Sequence, residues 1–162
     1  MQKKPAVGIV MGSTSDKAVM EECAKTLKEL GINFEITVSS AHRTPDQTRD
    51  YAMSAADRGI EVIIAGAGWA AHLAGVLASH TTLPVIGVPI DSSPLKGMDA
   101  LLSTAQMPPG VPVATMAIGA GGARNAAVFA AQILALKYPD IAKRLETFRE
   151  RLRAKSTGAK ID

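Results

Sequence analysis

The chain has 162 residues, 47% of them hydrophobic, 20% charged and 4% aromatic, with a formal net charge of +3 and one cysteine. This length predicts a single domain, residues 1 to 162, and the lone cysteine excludes a disulfide framework and favours a reducing cytoplasm. No run approaches the ~18 apolar residues of a membrane span, and residues 1 to 13 lack the apolar stretch of a signal peptide, so we expect neither membrane association nor export.

Five short apolar runs predict β-strands because they are rich in branched side chains: in chain order AVGIVM, FEITV, EVIIAG, PVIGVPI and VATMAI. Segments of helical character follow most of these runs, and this alternation is typical of parallel strands joined by crossover helices. Since the runs are apolar nearly throughout, helices should cover both faces of the sheet. The sequence therefore predicts an α/β fold, a three-layer αβα sandwich around a doubly wound parallel sheet, with its core over about residues 6 to 136.

Helix starts follow the first two predicted strands. Ser13 and Asp16 precede the first helix, and Thr44 to Gln47 open the second with a predicted capping box and a proline in its first turn. In open α/β sheets, ligands bind outside the carboxyl ends of the strands, where helix N-termini present unpaired N–H groups. We therefore expect the functional site among four loops: 12 to 16, 39 to 45, 66 to 75 and 119 to 125.

The first loop, GSTSD at residues 12 to 16, supports two interpretations. Ser13 can donate to phosphate oxygens, Asp16 can accept from ribose hydroxyls, and the glycine lets a ligand approach the backbone. Both side chains also have the type and spacing of a helix cap. The loop alone does not decide between ligand binding and capping.

The second loop contains three side chains that the helix start does not need: Ser40, His42 and Arg43. Arg43 offers a planar fork suited to phosphate, and Ser40 adds a hydroxyl donor near the same helix N-terminus. His42 carries the one side chain type that changes charge near neutral pH without help. A lone loop histidine is usually structural or simply exposed, but this combination favours a proton carrier beside a bound phosphate.

The third loop formally matches the dinucleotide fingerprint G-x-G-x-x-A, in the sequence GAGWAAH at residues 66 to 72. Asp91, about 20 residues after the last fingerprint position, could then bind a ribose. Against this, the unit is the third rather than the first, and Trp69 would crowd an approaching pyrophosphate. A dinucleotide-dependent oxidoreductase stays open as a rival, and His72 either faces the site or caps backbone groups.

The fourth loop, residues 119 to 125, joins a strand to the helical run AAVFAAQILAL, and its glycines can be explained by a tight turn alone. The chain has no P-loop, no H-E-x-x-H or G-x-S-x-G motif and no cysteine cluster, and its three histidines lack metal-ligand spacing. These absences disfavour a metal site and serine hydrolysis.

Positive charge is concentrated near the end of the chain. Residues 137 to 162 hold 8 basic and 4 acidic side chains, whereas residues 1 to 136 hold 10 and 11. Because acids are interspersed among the bases, this pattern predicts a solvated helix over about residues 140 to 154 rather than a nucleic-acid surface. A flexible tail is predicted over residues 155 to 162.

Six segments resemble, in order, the N5-carboxyaminoimidazole ribonucleotide mutases of purine biosynthesis, the bacterial class of the AIR carboxylase family: VMGSTSD, VSSAHRTPD, VIIAGAGWAAHLAG, LPVIGVP, QMPPGVPVATMAIG and ARNAA. The resemblance covers about residues 6 to 136. It implies a flavodoxin-like fold, a homo-octamer, a ribonucleotide substrate and no metal or redox cofactor. The implied reaction moves a carboxyl group from N5 to C4 of an aminoimidazole ribonucleotide.

Carried over position by position, the resemblance implies that His42 is the catalytic acid and base and that His72 is a second participant. It assigns the substrate-binding residues as Ser13, Asp16, Ser40, Arg43, Gly66, Ala67, Gly68 and Ala71. Three positions, Lys17, Trp69 and Ala74, depart from the family's usual SDW, GAGGAAHLPG and HLPG motifs. Two other functions stay open: a carboxylase that uses free carbon dioxide on this or another nucleotide, and a nucleotide-binding relative without turnover.

Overall fold

The computed structural model describes residues 4 to 157, which form one parallel sheet and the helices that cover it. The strands are β1 Val7–Met11, β2 Phe34–Val38, β3 Val62–Gly68, β4 Val85–Ile90 and β5 Ala114–Thr115. A one-turn 3-10 helix at Thr14–Asp16 precedes the first of the α-helices, which are α1 Lys17–Glu29, α2 Pro45–Arg58, α3 Leu73–Ser79, α4 Met98–Ala105, α5 Ala120–Ala135 and α6 Pro139–Thr157.

The sheet has the order β2-β1-β3-β4-β5, and every neighbouring pair is parallel. This order is the flavodoxin-like form of the doubly wound sheet, in which the chain winds first one way from β1 and then the other. The predicted fold class, an αβα sandwich with a parallel flavodoxin-like sheet, is therefore confirmed. No helix in the described part of the chain is long and apolar enough to cross a membrane.

Helices bury both faces of the sheet, as the uniformly apolar strands predict. Along β3, Val62 and Ile64 pack into the core under α1, α5 and α6, whereas Ile63 and Ala65 pack on the other side under α2 and α3. This alternation follows from the period of two in a β-strand. The central strands are thereby fixed from both sides, and their carboxyl ends present the loops at one edge of the sheet.

The fifth strand is much shorter than the predicted run at residues 113 to 118. Met116 N donates to Gly87 O at 2.9 Å. In a continued parallel ladder, the next hydrogen bond would have to come from the backbone nitrogen of residue 89 on β4, which is a proline. Proline has no N–H, so the regular pairing ends there. The Pro89 carbonyl instead accepts a hydrogen bond from Gly119 N at 2.8 Å, which turns the chain toward α5.

The basic C-terminal segment forms α6, which ends at Thr157 rather than near residue 154. One of its cations has a structural use, because Arg144 Nη1 donates to the Leu30 and Gly31 carbonyls at 3.2 and 2.8 Å. These carbonyls follow the last turn of α1 and would otherwise lack intrahelical partners. Residues 158 to 162 of the predicted flexible tail lie outside the described residues.

Candidate active site

The loops at the carboxyl edge of the sheet enclose a cleft of about 370 Å³. Residues from the loops after β1, β2 and β3 line it, as predicted, together with Ser92 from the loop after β4. Strand order explains this grouping, because β2 and β3 flank β1 and their loops therefore approach its loop from opposite sides. The cleft lies at the switch point of the doubly wound sheet, where such folds bind ligands.

The capping interpretation of the first loop is confirmed in the structure, and the same side chains lie at the cleft. Ser13 caps the 3-10 helix by accepting a hydrogen bond from Ser15 N at 3.3 Å, and the Asp16 carboxylate accepts one from Ser13 N at 3.1 Å. Ser13 and Asp16 also line the cleft, and Asp16 is only 4% exposed. Burial raises the pKa of Asp16, and the Ser13 N–H and the nearby Arg43 oppose that rise only in part. The cap thus holds a poorly solvated carboxyl group at the cleft wall.

Arg43 is anchored with its guanidinium group at the cleft. Its Nη2 donates to Gly12 O at 3.2 Å and its Nε donates to Ser40 Oγ at 3.3 Å. These two bonds join the loop after β2 to the loop after β1 and leave further N–H groups of the guanidinium to face a ligand. Ser13, Ser40 and Arg43, the predicted phosphate ligands, therefore lie together at the cleft, and phosphate binding by them stays a prediction.

The predicted capping box at the start of α2 is wrong. Thr44 is the N-cap residue, but its side chain makes no capping bond; its hydroxyl instead accepts from Ser40 N at 3.0 Å and donates to Ser40 O at 3.1 Å. Pro45 does occupy the first helical turn as predicted. The threonine closes the tight loop that contains His42 and Arg43, so its hydroxyl shapes the site rather than the helix end.

The His42 and His72 side chains meet at the cleft. His42 Nε2 lies 2.8 Å from His72 Nδ1, and the two rings are nearly perpendicular, at 83°, with their centroids 4.9 Å apart. In a hydrogen bond of this kind one ring nitrogen donates and the other accepts, and the tautomers decide which. The arrangement suits the transfer of a single proton.

The third loop contributes Ala67, Gly68 and Trp69 to the cleft lining, but not all of its predicted residues. Gly66 is buried against Met20, whose sulfur a Cβ at position 66 would strike, and Ala71 is 2% exposed. Neither of these two is among the residues that line the cleft, because both pack behind its wall.

Ser92 is a cleft residue that the sequence analysis did not single out. Only the position of Ser92, just past the carboxyl end of a strand, could have indicated it. Its hydroxyl lies so close to Gly68 that a Cβ there would collide with it, and Ile90 O would be only 3.1 Å away. Glycine at position 68 therefore permits the loop after β4 to close on the cleft.

The geometry does not support the dinucleotide interpretation, which requires an acidic residue that binds the ribose. Asp91, the proposed ribose ligand, is not among the residues that line the cleft. The last fingerprint position, Ala71, is buried, and the following helix α3 has only seven residues. The glycines of this loop serve packing and the approach of Ser92 rather than a pyrophosphate turn.

The fourth loop, residues 119 to 125, does not line the cleft. Gly119 has a φ of 79°, and a Cβ at Gly122 would collide with the carbonyl of Ala117, so both glycines serve a tight strand-to-helix turn. Arg124 donates from Nε to Glu22 on α1 at 2.8 Å. Hydrogen bonds from Lys25 and then Arg124 lower the pKa of Glu22. This loop therefore fastens α5 to α1.

Across the described residues, no group of three or more His, Cys, Asp or Glu could hold a metal ion.

The fold and the cleft together define a flavodoxin-like α/β protein with an anchored arginine, two serines and an imidazole pair in one cleft. Residues 6 to 155 match the family described as AIR carboxylase. The chain therefore belongs to the AIR carboxylase family.

Individual relatives agree with this assignment. The chain is 58% identical over 149 residues to the N5-carboxyaminoimidazole ribonucleotide mutase of Thermotoga maritima, covering 92% of this chain and 86% of the relative. It is 57% identical over 147 residues to the mutase of the same name from Bacillus subtilis, covering 91% of each. The crystal structure of Treponema denticola PurE matches with a TM-score of 0.84 and 31% identity over 94% of both chains.

Proposed function

We propose that this chain catalyses the N5-carboxyaminoimidazole ribonucleotide mutase reaction of purine biosynthesis. The carboxyl group moves from the exocyclic N5 to C4 of the same aminoimidazole ring. Identity of 58% and 57% to two mutases over nine-tenths of the chain supports this proposal. The single structural observation that carries it is the presence of the hydrogen-bonded imidazole pair and the anchored Arg43 guanidinium in one cleft.

The cleft residues divide between the two ends of the substrate. Arg43, Ser40 and Ser13 hold the phosphate, and the Asp16 carboxylate accepts from a ribose hydroxyl. Binding energy from this unreactive end positions the ring against the imidazole pair. The proposed reaction needs no metal or redox cofactor, because every step is a proton transfer or a carboxyl transfer.

The first step releases carbon dioxide. The cationic His42 donates its proton to the carbamate nitrogen, the bond between N5 and the carboxyl carbon breaks, and its electron pair stays on nitrogen. The products within the cleft are carbon dioxide, the neutral aminoimidazole and a neutral His42. Such proton transfer by a positioned side chain typically contributes ~100- to 10,000-fold to the rate.

The second step forms the new bond. C4 of the electron-rich ring attacks the carbon of carbon dioxide, and neutral His42 then removes the C4 proton, which restores both the aromatic ring and the cationic His42. No proton is gained or lost overall. Retention in the cleft replaces a bimolecular encounter by an effectively intramolecular one.

His72 supports His42 in both steps. Its Nδ1 accepts a hydrogen bond from Nε2–H of cationic His42, which fixes the ring and leaves Nδ1–H of His42 for the substrate. The proton removed from C4 returns to the His42 nitrogen that donated its proton in the first step. Ala67 and Gly68 line the pocket for the ring, and Gly66 and Ala71 support that wall from behind.

A labelling experiment tests the proposed function. The carbamate substrate is supplied in bicarbonate-free buffer, and in a second arm with excess ¹³C-bicarbonate. We expect the C4-carboxylated product without added bicarbonate, and little label in the product in the second arm. Product that forms only with bicarbonate and carries the label would instead identify a carboxylase that uses free carbon dioxide. Nucleotide binding without any product would identify a non-catalytic relative.

We also propose that the chain assembles as a homo-octamer in the cytoplasm. Exposed apolar side chains support self-association: Ile36 and Val38 on edge strand β2 are 48% and 42% exposed, and Leu95, Met98 and Leu102 are more than half exposed. Light scattering after gel filtration should give about 135 kDa, eight times the chain mass of 16.9 kDa. A monomer or dimer mass would contradict the octamer, and fractionation of expressing cells tests the compartment.

A further inference from the structure

Trp69 is the one tryptophan of the chain, and it lies at the mouth of the cleft. Its side chain is 59% exposed, although large aromatic side chains gain most when they are buried. Its backbone has a φ of 55°, in the left-handed region that glycine adopts readily and bulky residues rarely do. Neither core packing nor backbone preference explains an indole at this position.

The unfavourable features of Trp69 point to a role in the site. Left-handed backbone at a residue with a Cβ costs free energy, and such residues persist mainly where the surrounding structure or a function requires them. Among the described residues, the other positions with positive φ are glycines, apart from Lys96. The indole lies in the lining of the cleft, so the feature that offsets its cost is expected in contact with a ligand.

Trp69 belongs to the same loop as His72 and lines the same cleft. Trp69 directly follows Gly68, which contacts the Ser92 loop, and the turn after it is closed by a hydrogen bond from His72 N to Ala70 O at 2.8 Å. Trp69 lies three residues before His72, whose Nδ1 contacts His42 Nε2, and all three residues line the same cleft. An indole in this lining can offer a planar aromatic surface to a ring bound beside the imidazole pair.

We propose that Trp69 positions the substrate by stacking its indole on the aminoimidazole ring, and that it thereby selects nucleotides with a flat aromatic heterocycle. This inference rests on the proposed function. Offset stacking of two aromatic systems stabilises a complex beyond the area it buries. The stack also closes one side of the space in which carbon dioxide is released and recaptured, because the indole covers the ring face.

Intrinsic fluorescence gives a direct test, since all tryptophan emission of the chain comes from this position. The wild-type protein is titrated with aminoimidazole ribonucleotide and, separately, with ribose 5-phosphate, which has the same phosphate and sugar but no ring. We expect the nucleotide to quench or shift the emission and ribose 5-phosphate to bind more weakly without that change. Equal emission changes for both ligands would overturn the proposal.

Four variants separate stacking from structural roles. Trp69→Gly and Trp69→Ala both remove the indole, and both should raise the nucleotide Kd measured by calorimetry by about three- to tenfold, whereas Trp69→Phe should restore most of the affinity. Trp69→Gly should have a higher Tm than Trp69→Ala, because only glycine relieves the left-handed backbone. Leu136→Ala, which removes a side chain that is 90% exposed outside the cleft, should leave the Kd unchanged.

The outcomes distinguish this inference from the function on which it rests. If the wild type binds the nucleotide and forms product but Trp69→Gly has the same Kd, the stacking role is wrong and the mutase function stands. If Trp69→Gly and Trp69→Ala both have a lower Tm than the wild type, the indole stabilises the fold and the proposal is also wrong. If the wild type neither binds the nucleotide nor forms product, both fail.

Discussion

Asp16 and Glu61, at opposite ends of the parallel sheet, lie in opposite electrostatic environments. At the carboxyl end, burial raises the pKa of Asp16 beside the cleft. At the amino end, burial acts to raise the pKa of Glu61 as well, but hydrogen bonds from Tyr138 and Lys137 outweigh it and lower that pKa. The charged Asp16 carboxylate therefore lowers the stability of the fold, whereas the charged Glu61 carboxylate raises it.

Other groups follow the same division. The carboxyl end presents two exposed imidazoles and a tryptophan with left-handed backbone, whereas at the amino end Arg144 satisfies carbonyl groups at the end of α1. Functional sites commonly retain strained or poorly solvated groups that the remainder of the fold must offset. Substitutions at the carboxyl end should therefore change activity more than stability, and those at the amino end should do the reverse.

The largest expected effect is that of His42→Asn on turnover. Asparagine can hydrogen-bond but cannot exchange a proton near neutral pH, so kcat should fall by ~100- to 10,000-fold. The Tm should change little, because His42 is exposed. Product formation from the carbamate substrate and thermal melts measure the two quantities. His80→Asn is the matched control, since His80 is exposed at the end of α3 and outside the cleft; equal rates for wild type and His42→Asn would remove His42 from the mechanism.

Arg43→Lys should have the next largest effect. Lysine keeps the charge but loses the fork that binds Ser40 Oγ and Gly12 O while it faces a phosphate. We expect kcat/KM to fall by about 10- to 100-fold, the size of one or two lost bonds to a charged group. Arg49→Lys on α2 is the control, because Arg49 pairs with Asp46 and Asp50 outside the cleft. An unchanged kcat/KM in Arg43→Lys would mean that the phosphate binds elsewhere.

Glu61→Gln tests the amino end of the sheet, where a substitution should lower stability and leave activity unchanged. It removes the charge that Tyr138 and Lys137 bond, so the free energy of unfolding should fall by about 1 kcal/mol at neutral pH, with kcat/KM unchanged. The lowered pKa of Glu61 means that its stabilisation is present above the ordinary value of 4.5 and is lost as the pH falls through the folded value. Urea unfolding at pH 7 and in acid should therefore show the two proteins converging at low pH. A difference that persists there would point to packing instead.

Most of the fold could be predicted because its determinants are local. Branched apolar runs define the strands, and their lack of alternation indicates that both faces are buried. The two errors arose where hydrogen bonding that the apolar pattern does not specify decided the outcome, once across the sheet and once within a loop. Strand β5 is short because Pro89 on the neighbouring strand has no N–H to donate, and the Thr44 hydroxyl bonds Ser40 rather than capping α2.

The candidate site was predictable one loop at a time but not as a geometry. Ser40, His42 and Arg43 stand out because the helix start does not need them. The contact between His42 and His72, 30 residues apart, depends on β2 and β3 flanking β1, which no local pattern specifies. Ser92 lies in the segment 91 to 110, which could be predicted to border the crevice, but a serine after a strand has no distinctive signal of its own until β4 lies beside β3.

The smallest expected effect is that of Asp16→Asn on stability, and its pH dependence decides whether the carboxyl end carries the cost inferred above. Because its pKa is raised, folded Asp16 binds a proton more tightly than unfolded Asp16, so the free energy of unfolding falls as the pH rises from 3.8 through the folded value. Asparagine has no charge to desolvate, and its Oδ1 can still accept from Ser13 N. The free energy of unfolding of the variant should therefore rise above that of the wild type across that window, and the gain should be at most about 1 kcal/mol at neutral pH. The variant should also bind the nucleotide more weakly, because it lacks a charged acceptor. Urea unfolding between pH 3 and pH 8 measures the difference, with Asp57→Asn at an exposed position as the control. If Asp16→Asn instead becomes less stable than the wild type as the pH rises, the Asp16 charge stabilises the fold, and the contrast between the two ends of the sheet fails.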